Sequence, residues 1–538
     1  MRVGLVASLL VPAAVAGMPA VAGPADTGTV AGVLRAQQQR GPAQLRRPAA
    51  EAAMTVDGLG LPTLALGGDH TCTAVLYSYV WCWGGNDHGQ LGDGSTGDSA
   101  TPVPAIGGLR GKFLLGLAAG RAHTCALVLD AQSPGAYCWG ANGQGQLGDG
   151  STDDQPRPKE VATEVIGLAA GGDHTCTLDT ELTVSCWGRN DQGQLGIDTG
   201  GAFSSSPQEV AGLADVVEVA AGEDSTCALA EDGTASCWGG LTGSATPQAV
   251  DGHEFTRIAV GRAHACAVAG SALRGGSVYC WGSDDSGQLG NGAGAGDSAE
   301  PVRVAGSRRY IAVSAAGDST CALTETGQGY CWGANDDGRL GTGDTDPHGT
   351  PVAVDQGRVA NSQVFRELYG AGRSMIVQLA AGPDRSCAVS VEQAVYCTRA
   401  GLLTRVPLGP GRPRAVRAVP GDASLKVSWT PPAGAAPILG YAAVAATAGL
   451  EESSECEARD RGCTIGKLHN DRRYGVFVVA ISSGGFAYSS LGYAVPAGGG
   501  RGGGLPVTGP AAPLTGALVL LSTGAGLVLA TRRRTPVR

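Results

Sequence analysis

Sixteen cysteines fall into eight close pairs, and seven of those pairs recur at nearly even spacing along one stretch of the chain. The pairs are Cys72 with Cys82, Cys125 with Cys138, Cys176 with Cys186, Cys227 with Cys237, Cys266 with Cys280, Cys321 with Cys331, Cys387 with Cys397 and Cys456 with Cys463. From one first cysteine to the next the first seven step by 53, 51, 51, 39, 55 and 66 residues. A repeat of this length marks a supersecondary unit that cannot bury its apolar face alone and must stack on its own copies. Seven copies predict a ring of seven blades.

Inside a unit the two cysteines flank an alternating run with a turn at its centre, as from Cys227 to Cys237. A three-residue loop, Glu231-Asp232-Gly233, with glycine left-handed, closes a hairpin that sets Cys227 opposite Cys237. Opposed residues approach to about 4.5–5.5 Å between Cα atoms, a span a disulfide can bridge. One staple per blade is therefore expected. Extra residues in the second and fifth units, 131–135 and 270–276, fall in the hairpin loops, where insertions are tolerated and binding surfaces vary. Zinc is the competing use of cysteine, but it favours C-x-x-C-like spacing and converging ligands, which these gaps do not offer.

The two ends of the chain look like addresses. Arg2, an apolar stretch from Val3 to Gly17 and the small residues Ala20-Val21-Ala22 form a secretory signal over 1–22. Residues 23–53, rich in Gln, Arg, Pro and Ala, have no apolar period and are expected to be a disordered spacer. At the other end stand Leu505-Pro506-Val507-Thr508-Gly509, an apolar run from Leu514 to Ala530, and Arg532, Arg533 and Arg534. Such a run can hold a translocating chain in a bilayer as a transient transmembrane helix, and the arginines stop it. This order resembles the sortase substrates of Gram-positive surfaces. The resemblance implies recognition through Leu505, Pro506, Thr508 and Gly509, cleavage after Thr508, and transfer to a peptidoglycan precursor, with sortase and that precursor as partners. Paired cysteines behind a signal peptide fit an oxidising compartment, so the expected location is the cell-wall surface.

The unit Gly171-Gly172-Asp173-His174-Thr175-Cys176, then Cys186-Trp187-Gly188 and Asp191-Gln192-Gly193-Gln194-Leu195-Gly196, recurs across 54–409. It resembles the repeat of the regulator of chromosome condensation family, which implies a seven-bladed β-propeller. Trp83, Trp139, Trp187, Trp238, Trp281 and Trp332 share one position, where a bulky residue packs between blades, and Gly-Gln-Leu-Gly suits a tight turn. Two units depart. The fourth lacks Gly-Gln-Leu-Gly, and the seventh has Thr398-Arg399 in place of Trp-Gly, so a strand near the start of the domain or Leu402 to Leu408 is expected to complete the last blade.

From 411 to 497 the pattern changes to strands around Trp429, Tyr441, Leu468 and Tyr474, which resembles a fibronectin type III β-sandwich. Within it the pair Cys456 and Cys463 is expected to be an added local staple. A Gly-rich tether, 498–504, leads to the sorting signal 505–538. The expected fold class is all-β throughout.

The net charge of −10 provides no basic stripe for phosphates, so no nucleic-acid partner is expected. His70, His123, His174 and His264 share one position per blade, which spreads them around a ring instead of converging them on a metal. The loops at Asp284-Asp285-Ser286-Gly287 and Asn335-Asp336-Asp337-Gly338 lack the spaced ligand set of a calcium loop. No G-x-S-x-G, H-E-x-x-H or P-loop pattern is present. The chain is thus expected to bind an extracellular protein or glycan, with no catalytic residue, metal or cofactor. The alternative is an extracellular enzyme inhibitor of the β-lactamase-inhibitory propeller type, and nucleotide exchange by fold analogy ranks below both.

Overall fold

In the computed structural model the described residues run from 64 to 496, apart from 357–375 and short breaks, and include 522–523 and 526–527. The signal segment, the spacer, Leu505 to Gly509 and most of the apolar run lie outside them. Among the described residues the named elements are all β-strands, and no helix is long and apolar enough to cross a membrane.

Seven antiparallel sheets of four strands span 64–104, 113–163, 165–209, 216–250, 255–303, 312–353 and 376–405. In each, the strands pair in chain order. The first strand of every sheet touches the first strand of the next, and that of the seventh touches that of the first. The fourth strands, such as Ser204–Glu209, are mostly exposed. First strands therefore lie inside and fourth strands outside. The turns joining strands one to two and three to four share one end of the array, and the cysteine hairpins occupy the other.

Register explains the cysteine spacing. Every sheet sets its two cysteines directly opposite on strands two and three: Cys72 faces Cys82, Cys125 faces Cys138, Cys176 faces Cys186 and Cys227 faces Cys237. Cys266 faces Cys280, Cys321 faces Cys331 and Cys387 faces Cys397 in the same way. Each of these seven pairs is joined by a disulfide. Their Cα atoms stand 4.0–4.1 Å apart, closer than the separation expected from sequence. The fourth sheet shows the reason. Ala230 N donates to Thr234 O, and Gly233 closes the loop at φ 91°. Counted back from that bond, Cys227 and Cys237 occupy a pair that exchanges no ladder bonds, the narrower of the two antiparallel spacings.

The insertion at 270–276 is only partly loop: Gly270 pairs with Gly276 and Ser271 with Gly275, which lengthens that hairpin. The seventh sheet takes its fourth strand locally, from Leu402–Arg405 against Val395–Arg399.

Beyond the seventh sheet, Arg414–Gly421, Ser424–Thr430 and Gly462–Ile465 form a three-stranded sheet. A second sheet is built on Ile438–Ala446 and Tyr474–Ser482 and includes Ser453–Ala458. Trp429, Tyr441, Leu468 and Tyr474 meet in one core between them. The eighth disulfide, Cys456 to Cys463, spans 6.1 Å between Cα atoms. Because Cys456 belongs to the second sheet and Cys463 to the first, this bridge ties the two sheets together, whereas the other seven lie within a sheet.

Candidate functional site

The end of the array that carries the three-to-four turns is organised around one repeated construction. A buried asparagine, Asn86 in the first sheet, accepts the N–H of Leu91 at 2.9 Å and donates to the carbonyls of Ser95 and Gly97. Asn142, Asn190 and Asn335 fold their own loops in the same way. In the fifth sheet Asp284 takes that place and accepts the N–H of Leu289; burial, with Asp297 and Asp285 nearby, raises its pKa. The polar groups of these Asp-rich loops are thus engaged with their own backbone. Among the described residues no group of three or more His, Cys, Asp or Glu is arranged to hold a metal ion.

Folding the loop in this way delivers the glutamine of Gly-Gln-Leu-Gly to the neighbouring sheet. The carbonyl of Gln90 accepts two hydrogen bonds from the second sheet, from Thr124 Oγ1 at 3.0 Å and Trp139 Nε1 at 2.8 Å. A carbonyl has two lone pairs, so both donors are accommodated. Thr124 Oγ1 also lies 2.8 Å from Nε2 of His70 in the first sheet. Its single proton goes to Gln90, so it accepts from His70, which fixes the imidazole as the neutral tautomer protonated at Nε2. The same relay joins the second sheet to the third through His123, Thr175, Gln146 and Trp187. It joins the third to the fourth through His174, Thr226, Gln194 and Trp238. The fifth meets the sixth through His264, Thr320, Gln288 and Trp332.

Burial agrees with this assignment. All four histidines are fully buried, and desolvation pushes the pKa of His123 and His174 down to about 3 and that of His264 to about 4. His70 is lowered by the same cause, opposed by Asp69. Each Nδ1 is buried without a hydrogen-bond partner. Glycine makes room for the rings: a Cβ on Gly120 would stand 2.2 Å from His123 Cε1 and 2.3 Å from the carbonyl of Gly171. The histidines therefore tie neighbouring sheets together, a role that their spacing alone did not reveal.

Three interfaces lack the relay. Between the fourth and fifth sheets Ser225 replaces histidine, Ala265 replaces threonine, and the short turn 240–243 carries no glutamine; there Trp281 stacks on Phe255, with ring centroids 5.9 Å apart. Between the sixth and seventh Ser319, Arg339, Ser386 and Thr398 stand in the four places. Between the seventh and first the strands Val395–Arg399 and Leu402–Arg405 follow too closely in the chain for a Gly-Gln-Leu-Gly loop between them, and Arg385, in the histidine position, reaches Thr71 Oγ1 at 3.4 Å. Ion pairs dress the same end: Arg121 bridges Asp173 and Glu223, Arg189 bridges Asp224 and Asp191, and Arg262 meets Asp318 at 2.6 Å. On the inner strands, burial pushes Glu218 up to about 7, against the pull of Arg257 and the N–H of Ile258.

Comparison with known proteins agrees with the repeat. The Regulator of chromosome condensation (RCC1) repeat matches residues 78–127, 135–178, 183–229, 275–323 and 326–389. The chain therefore carries RCC1 repeats. It is similar to the ultraviolet-B receptor UVR8 of Arabidopsis thaliana, 29% identical over 57% of this chain and 61% of the receptor. It is also similar to the human E3 ubiquitin-protein ligase HERC2, 29% identical over 56% of this chain and 7% of the ligase. It thus spans less than two thirds of either relative. Among solved structures, Prp20p of Saccharomyces cerevisiae aligns with a TM-score of 0.51 at 25% identity, covering 61% of this chain and 82% of that one. Human WBSCR16 aligns with a TM-score of 0.51 at 23% identity, covering 60% and 84%. The fold of the seven sheets is an all-β propeller of the RCC1 type.

Proposed function

We propose that this chain is an exported surface protein, anchored to the cell wall, whose seven sheets form a seven-bladed propeller that binds an extracellular protein or glycan and performs no catalysis. The observation that carries the reading is the cysteine chemistry. All sixteen cysteines are joined and none is free, the economy of a protein matured where thiols oxidise. The sequence 505–538 supplies the wall address, with sortase recognition at Leu505, Pro506, Thr508 and Gly509 and peptidoglycan as the acceptor.

Residues 411–497 are, in this reading, a fibronectin type III module that holds the propeller off the wall. Two sheets sharing one core support it, as does the Tyr474 hydroxyl, which accepts the N–H of His469 five residues upstream at 3.0 Å. A tyrosine at the start of a strand that bonds back in this way marks sandwiches of the immunoglobulin type. A regulatory or binding role is also what the names of UVR8 and Prp20p suggest, the latter solved for its binding to Gsp1p and histones; export would separate this chain from such partners, so nucleotide exchange ranks last.

Crosslinking on intact cells, followed by identification of what attaches, tests the reading. A wall-linked product ending at Thr508 with no free thiol and a reproducible surface partner is expected; a cytosolic protein with reduced cysteines would overturn it. One soluble enzyme retained stoichiometrically from culture fluid would instead favour the inhibitor.

A further inference from the structure

The two sheets beyond the seventh treat water differently. An antiparallel sheet of this kind commonly keeps one face on the core and the other in solvent. On the strand Ser424–Thr430 of the first, Leu425, Val427 and Trp429 enter the core while Lys426, Ser428 and Thr430 are exposed. On the strands Ile438–Ala446 and Tyr474–Ser482 of the second, the alternation holds but the outward residues are apolar. Tyr441, Ala443, Val476 and Val478 belong to the shared core. Ala442 pairs with Val479 and Val444 with Phe477, and these four form one apolar patch on the opposite face. They are only 2–4% exposed, yet none of the apolar clusters formed among the described residues contains them. Another part of the chain covers this outer face.

Glu455 and Glu457 edge the patch, opposite Val444 and Ala442 on the next strand. Glu455 Oε2 is buried and has no hydrogen-bond partner among the described residues; burial, with Glu457 beside it, raises its pKa. A cover that suits this face is apolar and cationic. Chain length points to one. Five connections from a fourth strand to the next first strand take one to eight residues, whereas the sixth, between Ala353 and Ile376, takes 22. That exceeds what joining two neighbouring sheets requires. Within it Val364, Phe365, Leu368 and Tyr369 fall at the spacing of one helical face. Arg358, Arg366 and Arg373 stand there against a single acid, Glu367.

We propose that the insert 357–375 docks on the outer face of this second sheet and fastens the two-sheet unit to the propeller. Position favours this occupant over the other stretches outside the described residues. Connections from fourth to first strands run at the end of the array that carries the cysteine hairpins, and the chain leaves the seventh sheet, at Arg405, by the same end. From Arg405 to Arg414, where the two-sheet unit begins, the chain spans at most about 30 Å. Insert and patch therefore emerge beside the same propeller sheet. The apolar side chains of the insert cover Val444, Phe477 and Val479, and its arginines lie toward the Glu455 edge. The clamp fixes how the propeller is presented, whatever the propeller binds and wherever the chain resides.

Photocrosslinking tests the dock in the full chain, with p-benzoylphenylalanine in place of Phe365 and the products mapped by mass spectrometry after digestion. Crosslinks within one chain to residues 441–446 or 474–480 are expected. Leu368→Asp, which sets a carboxylate against the patch, should cut their yield about tenfold. Hydroxyl-radical footprinting gives an independent readout. Phe477 should be protected in the parent and labelled several-fold faster once 358–373 is replaced by a glycine-serine linker, while Trp429, in the inner core, stays protected because the sheets remain folded. Crosslinks confined to the propeller, to residues 1–63 or 497–538, or to a second copy overturn the proposal, as does a Phe477 equally protected without the insert.

Discussion

Replacing Thr175 by valine removes one hydroxyl from the middle of a relay without changing the shape of the core. Thr175 is fully buried; its Oγ1 accepts from His123 Nε2 at 3.0 Å and donates to the Gln146 carbonyl at 2.8 Å. Gln146 keeps a donor in Trp187, so its carbonyl is not orphaned. His123 loses the only partner of its N–H, since its Nδ1 already has none. An orphaned buried donor costs about 1–3 kcal/mol and the lost hydroxyl-to-carbonyl bond about 1 kcal/mol. The methyl that replaces the hydroxyl returns about 0.8 kcal/mol. The expected loss is about 2 kcal/mol, measured as a lower guanidinium midpoint at unchanged slope with disulfides intact. In a His123→Leu background the same change should cost less by about 2 kcal/mol, the share of the orphaned N–H that is no longer there. The reverse change, Ala265→Thr, adds a hydroxyl where neither histidine nor glutamine waits for it and should not stabilise. A Thr175→Val chain within about 0.5 kcal/mol of the parent would refute the relay.

The four neutral histidines make stability depend on pH with a definite sign. Their folded-state pKa lies below the ordinary 6.5, at about 3 for His123 and His174 and about 4 for His264, so the unfolded chain binds more protons from 6.5 down to those values; stability is full above 6.5 and is lost by about 1.4 kcal/mol per pH unit for each of these three as pH falls, with His70 acting in the same direction, which denaturation midpoints from pH 7 to 4 would register. Glu218 runs the other way: with its pKa raised from 4.5 to about 7, its contribution is present at low pH and lost across that window, so Glu218→Gln should steepen the net rise in stability from pH 4.5 to 7. Gly148→Ala, at φ 77° and with its Cβ 2.5 Å from Trp187 Nε1, should destabilise by about 2 kcal/mol or more in the same assay, whereas Gly150→Ala, with nothing within 4 Å, should suffer only the strain of its positive φ. Removing one staple as Cys227→Ala with Cys237→Ala should cost at most about 3 kcal/mol and leave the far-ultraviolet circular dichroism of the folded chain unchanged.

What sequence could carry was set by the range of each interaction. Cysteine pairing was legible because ten residues and one turn separate Cys227 from Cys237, and hairpin chemistry fixes the register between them. That Cys456 and Cys463 join two sheets was not legible, because a separation of seven residues is the same whether the strands share a sheet or face each other across a core. Burial of the tryptophans was legible from their bulk. The relay was not, because its partners are 52 residues apart in His123 and Thr175 and its acceptor is a backbone carbonyl, which has no residue identity to repeat. Gly-Gln-Leu-Gly announced a turn; nothing in four letters said that the turn reaches across to a neighbour. The choice of Leu402–Arg405 as the last strand of the seventh sheet was likewise one of two sequence options, and only pairing with Val395–Arg399 distinguished them.

The substitutions at the fourth-to-fifth interface make sense only as a group. A threonine in place of Ala265 would bury a hydroxyl with no carbonyl to receive its proton, because the turn at 240–243 brings no glutamine across. A histidine in place of Ser225 would bury an N–H with no hydroxyl to accept it. Each member of the relay is favourable only when the others are present, since an unpaired buried donor costs more than a paired one contributes. Loss of the loop therefore removes the reason for the other two, and the interface turns apolar instead: Leu241 joins Trp281 and Phe255 in one cluster. The seventh-to-first seam has lost the same loop yet retains Thr71 and Trp83 and places a cation, Arg385, where histidine would stand. There the guanidinium takes the donor's part toward Thr71 that histidine takes elsewhere, and Trp83 packs with Leu64, Val389, Val395 and Leu408 in one apolar cluster, so packing and a single hydrogen bond close the seam where the loop is missing.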